Sequence, residues 1–95
     1  MNMHRQSACI IERILDIAEE MGTLERIPLK CDEKVLNVIH EPKQNFNRFL
    51  ICLYYLRESG HISFPQDIVS QGDTVPVTLH ASGIDFLEVN GIKMP

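Results

Sequence analysis

The sequence lacks any long hydrophobic run. None of its apolar stretches approaches the ~20 residues that a membrane-spanning helix needs. Near the start, Glu12, Arg13 and Asp16 interrupt the apolar positions that the hydrophobic core of a secretory signal would occupy. The sequence therefore predicts a cytoplasmic protein without a membrane partner.

Cysteine is scarce, odd in number and widely spaced, which disfavours a disulfide framework. The three cysteines are Cys9, Cys31 and Cys52. Zinc sites need closely spaced ligand pairs, whereas the histidines stand alone in the sequence, at His4, His40, His61 and His80. We therefore predict reduced thiols that pack as small hydrophobic side chains, and no bound metal.

Motifs of catalysis are also missing from the sequence. It contains no glycine-rich phosphate loop, no G-x-S-x-G and no H-E-x-x-H. Cys31 precedes a predicted helix start, where the pKa of a thiol can fall, but no His or Asn partner is identifiable around it. We predict neither an enzyme nor a cofactor.

Basic residues are few in the C-terminal part. The net charge is −4 and the sequence pI is near 5.4, and from Glu58 onward five acidic residues face a single base, Lys93. Residues 42–57 contain no acidic residue and three basic ones, Lys43, Arg48 and Arg57. This local excess is small, because nucleic-acid-binding domains typically have a pI above about 9.

What the sequence does contain is one strongly apolar helical stretch, Asn45–Gly60, against which the other segments are predicted to pack. Its apolar side chains recur at spacings of three and four residues, at Phe46, Phe49, Leu50, Leu53 and Leu56. Burying each is worth roughly 1.5–3 kcal/mol, so this helix is expected at the centre of the core. Either Pro42 or Asn45 opens it, and Gly60 ends it before a strand that reaches Phe64.

The remaining segments complete a single domain, residues 1–95 with a core at about 7–90. The first helix is predicted to start at its N-cap Ser7 and to end at Gly22. An edge strand containing Pro28 follows, and Asp32 caps a short helix that stops near His40. The last two predicted elements are a return strand over Val75–Leu79 and a helix over Ala81–Val89.

Two motifs, LYYLRESGHI and LHASGIDFLE, carry a resemblance to a known superfamily. They resemble the winged-helix proteins that include MarR-like and PadR-like regulators, and the chain is similar to small phage and bacterial winged-helix domains of unknown function. The resemblance implies an α+β winged helix-turn-helix, with a three-helix core, a two- or three-stranded wing sheet and a C-terminal helix. His80 stands where that superfamily has a capping Thr, so Ser82 or Thr78 is expected to cap the last helix, or its start is shifted.

The first function that follows is DNA binding by a small transcriptional regulator of phage or mobile-element origin. Asn, Gln and Arg suit bidentate base contacts, and the start of the recognition helix meets base edges. Five polar residues crowd that position and are the predicted contacts with double-stranded DNA: Lys43, Gln44, Asn45, Asn47 and Arg48. Solvation and helix capping would explain the same polar residues, and this second reading stays open.

The alternative function is a protein-interaction module. Ile51, Cys52 and Tyr55 lie opposite the core face of the central helix, so either the first helix covers them or a protein partner does. Either these three residues or the acidic wing is the predicted protein interface, and a homodimer is one form that it would take. The predicted wing also lacks Lys and Arg while carrying Asp67 and Asp73, which disfavours contact with phosphates.

Overall fold

The computed structural model describes residues 3–36 and 45–91. Within these ranges the protein is α+β, with three helices and one small antiparallel sheet. The helices are α1 (Met3–Met21), α2 (Phe46–Glu58) and α3 (Ala81–Asn90). The strands are β1 (Ile27–Lys30), β2 (Ile62–Ser63) and β3 (Thr74–Leu79), and a 3-10 turn spans Glu33–Leu36.

The sheet has the order β1-β3-β2, with both pairs antiparallel. Side chains alternate along β3, so Val75, Val77 and Leu79 are buried while the residues between them face outward. Ile27 lies opposite Val77, and Ile62 lies opposite Leu79. The inner face of the sheet therefore contributes a continuous apolar layer to the core.

Helix α1 lies against the apolar face of the sheet and against α2. Its buried side chains follow a helical spacing, at Ile10, Ile11, Ile14 and Ala18. The predicted end is confirmed, because Gly22 has a φ of +72° and donates to the Ala18 carbonyl at 2.8 Å. The predicted start is wrong: the chain is helical from Met3, and Ser7 is fully buried inside the helix.

Helix α2 provides the largest buried side chain, Phe49, together with Leu53 and Leu56. The predicted cap Asn45 is confirmed, since its side chain accepts a hydrogen bond from the Arg48 backbone at 2.8 Å. The predicted end is also confirmed, because Gly60 has a φ of +78°. The alternative start at Pro42 and the end of the Asp32 helix at His40 lie outside the described residues.

Helix α3 starts without a side-chain cap. His80 occupies the N-cap position, and its backbone carbonyl accepts from the Gly83 N–H at 2.9 Å. The two side chains expected to replace it are used elsewhere: the Ser82 hydroxyl donates to the Gly60 carbonyl, and the Thr78 hydroxyl accepts from the Arg26 backbone. The predicted substitute caps at this helix are therefore wrong.

Strand β2 is also shorter than predicted. The sequence predicts that it reaches Phe64, and it ends at Ser63.

Candidate functional site

The residues predicted to contact DNA do not share one exposed surface in the described part of the chain. The side-chain oxygen of Asn45 accepts a hydrogen bond from the Arg48 backbone N–H and so caps α2. Asn47 is exposed in the first turn of the helix. Lys43 and Gln44 lie outside the described residues.

Arg48 is directed toward α1 rather than toward solvent. Its Nε donates a short hydrogen bond to Oε1 of Gln6, a residue that is fully buried in α1, and its Nη2 is itself buried. The guanidinium also acts on the buried Cys52 thiol, whose pKa is raised by burial and lowered in part by the Ser7 hydroxyl and by Arg48. The geometry gives Arg48 a role between two helices.

Arg57 is held in the same way, near the other end of α2. Its guanidinium carbon lies 4.5 Å from the ring centroid of Phe64 and 5.0 Å from that of Tyr54. Nη1 donates to the Gln66 carbonyl at 2.9 Å. Both arginines of α2 are therefore engaged inside the molecule, and the positive stretch of the sequence does not become a positive surface on this helix.

The three residues of the predicted protein interface separate in the structure. Cys52 is fully buried against the start of α1, with its sulfur 4.0 Å from the Met3 carbonyl oxygen. Tyr55 is half-buried: its hydroxyl lies 3.1 Å from His4 Nε2, and its ring lies 6.3 Å from that of Phe86. Ile51 alone is well exposed, with 53% of its surface accessible. Helices α1 and α3 thus cover most of this face.

The outward face of α2 covers about a third of the helix circumference and holds Asn47, Leu50, Ile51, Tyr54 and Glu58. Asn47, Ile51 and Glu58 are exposed, whereas Leu50 and Tyr54 are partly buried. Three of these five are apolar or aromatic. Beside them, the Tyr54 hydroxyl donates to the Asp67 carbonyl at 3.2 Å, and the next residue, Ile68, is 83% exposed. We refer to Leu50, Ile51, Tyr54 and Ile68 as the apolar patch.

Two members of the apolar patch were missed by sequence reasoning, and one was assigned differently. Tyr54 and Ile68 carried no prediction, although an isoleucine in a polar turn segment was a usable signal. Leu50 is predicted to face the core; it is partly buried and packs against the core, with part of its side chain at the surface. The helical spacing of Ile51 and Tyr54, three residues apart, was the other available signal.

The β2–β3 loop that carries Ile68 is tied down by hydrogen bonds. Asp73 accepts from the Ser70 backbone at 2.8 Å, and Gln71 Nε2 donates to both carboxylate oxygens of Glu33, at 2.8 and 3.1 Å. The loop backbone also continues the pairing with the chain after β1, because Cys31 donates to the Asp73 carbonyl at 2.7 Å. The patch is therefore backed by ordered structure on both its helix and its loop side.

The cysteines show no activated nucleophile. All three are free thiols, and burial raises the pKa of Cys9 to about 11 and that of Cys31 to about 11. Across residues 3–36 and 45–91, no three His, Cys, Asp or Glu side chains come together as a possible metal site. Among the helices described, none has the length and apolar character to span a membrane.

A second, shallow apolar feature lies at the end of α1. It is an open groove of about 270 Å³, lined by Leu15, Ala18, Glu19, Gly22, Thr23 and Leu24. Leu24 is 41% exposed there. The groove brings no polar groups together apart from the Glu19 carboxylate and the Thr23 hydroxyl, so it offers little to orient a ligand.

Comparisons of the chain with protein-family models, with curated proteins and with solved structures give no match.

Proposed function

We propose that this protein is a winged-helix domain that binds another protein through the apolar patch. The observation that carries the proposal is the composition of the outward face of α2, where Leu50, Ile51 and Tyr54 stand. Ile51 and Ile68 are exposed, Leu50 and Tyr54 are partly exposed, and a group of neighbouring apolar side chains at the surface is typical of protein-binding sites. Aromatic residues such as Tyr54 are also enriched among the residues that dominate binding energy.

The element order supports the winged-helix part of the proposal. A helix, a strand, a short helical turn, a second long helix, two strands and a last helix follow one another, and the strand order is β1-β3-β2. On this reading α2 is the helix that a DNA-binding relative would place in the major groove, and the β2–β3 loop is the wing. The apolar patch then occupies the surface that such a relative would turn toward DNA.

DNA binding is the second candidate, and one observation favours it. Asn47 is exposed at the start of α2, next in sequence to the predicted contacts Lys43, Gln44, Asn45 and Arg48. Against it, Arg48 and Arg57 are engaged inside the molecule, and residues 58–91 contain no Lys or Arg that could contact phosphates. For this reason protein binding is the first proposal.

The test compares two single substitutions of exposed aliphatic residues. Ile51→Ser should abolish co-purification of a protein partner, because it removes an apolar side chain from the centre of the patch. Val89→Ser is the matched control, since Val89 is 81% exposed on α3; it should retain the partner. Both variants should unfold at the wild-type urea concentration within error. A partner that is retained by Ile51→Ser contradicts the proposed surface.

The same protein preparations decide between the two candidates. Fluorescence anisotropy with random duplex DNA at about 50 and 200 mM salt reports phosphate contact, because such binding falls steeply with salt. We expect no binding at either concentration. Micromolar binding at low salt that weakens in Asn47→Ala would instead favour DNA. Arg48→Ala is unsuitable here, because it also removes the hydrogen bond to Gln6.

A further inference from the structure

We infer that the partner presents a cationic amphipathic segment, whose apolar side chains cover the apolar patch and whose Lys or Arg side chains meet Glu58 and Asp67. This inference rests on the proposed function and specifies the chemistry of the partner. It follows from the position of the two carboxylates, from the engagement of the neighbouring arginine and from the charge of the whole surrounding segment.

Glu58 and Asp67 border the patch on two sides. Glu58 is exposed one helical turn after Tyr54 and two turns after Ile51, so it extends the same face of α2. Asp67 is exposed in the β2–β3 loop, and its backbone carbonyl accepts the hydrogen bond from the Tyr54 hydroxyl. A segment that lies along Ile51 and Tyr54 therefore passes close to both residues.

Among the described residues, the cation next to Glu58 in the sequence is engaged elsewhere. The Arg57 guanidinium lies over the rings of both Tyr54 and Phe64 and donates to the Gln66 carbonyl. From Glu58 to Gly91 the sequence has five carboxylates and no Lys or Arg. The Asp73 carboxylate, in contrast, already accepts the Ser70 N–H. The border of the patch is therefore negative on the side of the loop.

Charge complementarity selects the partner. An uncharged segment would remove water from Glu58 and Asp67 without replacing it, and an acidic segment would add repulsion, so a segment with Lys or Arg at these positions is favoured. A second copy of this chain is disfavoured by the same argument. A second copy that met this one through the same patch would offer no cation there, because Arg57 is engaged within the molecule and residues 58–91 contain no Lys or Arg.

The experiment uses two synthetic helical peptides with the same leucine face, one with Lys and one with Glu on the polar positions. Fluorescence anisotropy at low salt measures their binding to the full chain. We expect the Leu/Lys peptide to bind at least about tenfold more tightly than the Leu/Glu peptide. The double variant Glu58→Gln/Asp67→Asn should reduce that preference by about three- to tenfold.

A matched control separates local from overall charge. Asp85→Asn/Glu88→Gln removes two exposed carboxylates from α3 and should leave the Leu/Lys affinity unchanged. An equal loss in this control shows that net charge alone attracts the peptide, which overturns the inference. Ile51→Ser should weaken binding of the Leu/Lys peptide about tenfold or more.

The outcomes distinguish the inference from the proposed function. If both peptides bind equally and both are weakened by Ile51→Ser, the apolar patch is a binding surface and the cationic partner is wrong. If the Leu/Lys peptide binds but Ile51→Ser has no effect, the patch itself is wrong. Binding of neither peptide contradicts the inference, and the co-purification with Ile51→Ser then decides the proposed function separately. A wild-type molecular mass of twice the monomer, reduced by Ile51→Ser, would identify a second copy as the occupant and overturn the inference.

Discussion

Gly83 stands where α3 passes close to the chain that leaves α2. A Cβ at this position would lie 2.6 Å from the His61 backbone oxygen and 2.8 Å from Leu79 Cδ1. The Leu79 side chain can move away from an added Cβ. The His61 oxygen belongs to the backbone and cannot, so α3 itself would have to shift. The glycine of the LHASGIDFLE motif is therefore explained by this close approach of helix and backbone.

We expect Gly83→Ala to lower the free energy of unfolding by about 1–3 kcal/mol, as is typical of overpacking at a tight contact. Urea denaturation followed by circular dichroism measures the change. Glu88→Ala, at an exposed position on the same helix, should stay within about 0.5 kcal/mol of wild type. Equal stability of Gly83→Ala and wild type would show that α3 does not lie this close to His61.

Cys31 makes stability depend on pH in the alkaline range. Burial, with a smaller contribution from the Asp73 carboxylate, raises the pKa of this thiol from 9.0 to about 11. The unfolded chain therefore loses the proton first, and stability that is fully present below pH 9 is lost as the pH rises to about 11. Urea midpoints between these pH values should fall in the wild type and fall less steeply in Cys31→Ala.

The Cys31→Ala variant carries its own control. The lost sulfur leaves a small cavity, which should lower the stability by a similar amount at every pH. The difference between the two slopes of the urea midpoint against pH therefore reports the ionisation of the Cys31 thiol. Parallel slopes for wild type and Cys31→Ala would rule out the buried thiol as a source of the alkaline decline.

Among the elements, α2 and the β2–β3 loop are joined by Arg57. The guanidinium lies over two rings and donates to the Gln66 carbonyl, while the Tyr54 hydroxyl reaches the next carbonyl, that of Asp67. The loop thus has two anchors on one helix. Its position relative to the exposed face of α2 depends on both.

We expect Arg57→Ala to destabilise the protein by about 1–3 kcal/mol, because it removes stacking on two rings and a charged hydrogen bond. Amide hydrogen exchange should accelerate in the loop around Gln66 more than in α1. Arg57→Lys keeps the charge but loses the planar group, so it should recover less than half of the loss. The exposed Arg13→Ala provides the surface control. Unchanged exchange in the loop would contradict the anchoring role.

The elements themselves were largely predictable, because their signals are local. The spacing of Phe49, Leu53 and Leu56 identifies the inner face of α2, and glycines at 22 and 60 end the two long helices. Asn45 caps α2 as its side chain and position indicate. The alternation of apolar and other side chains along β3 identifies its buried residues, Val75, Val77 and Leu79.

What could not be predicted depends on how the elements dock. The sequence predicts that Arg48 contacts DNA, but it does not reveal that α1 starts at Met3 and brings Gln6 to the guanidinium. The sequence leaves open whether the first helix or a partner covers Cys52 and Tyr55, and in the structure Met3 and His4 of the earlier first turn contact them. No periodicity within α2 contains this information, because the covering residues are about fifty positions away in the sequence.

For the molecule as a whole, the distribution of charge differs between the sequence and the surface. The sequence has a basic segment, residues 42–57, between more acidic neighbours. In the fold, Arg48 and Arg57 turn inward, whereas Glu58 and Asp67 remain exposed. A candidate partner is therefore better judged from the surface around α2 than from the local net charge of that segment.

The central position of β3 has a consequence for synthesis on the ribosome. β1 and β2 are both paired to β3 and lie on opposite sides of it. Until the ribosome has released Thr74–Leu79, the emerging chain holds two unpaired strands and an α1 whose apolar face has no sheet to cover it. Pairing of distant segments is the slow part of folding, so the nascent chain depends on its last strand to hide its aggregation-prone surface.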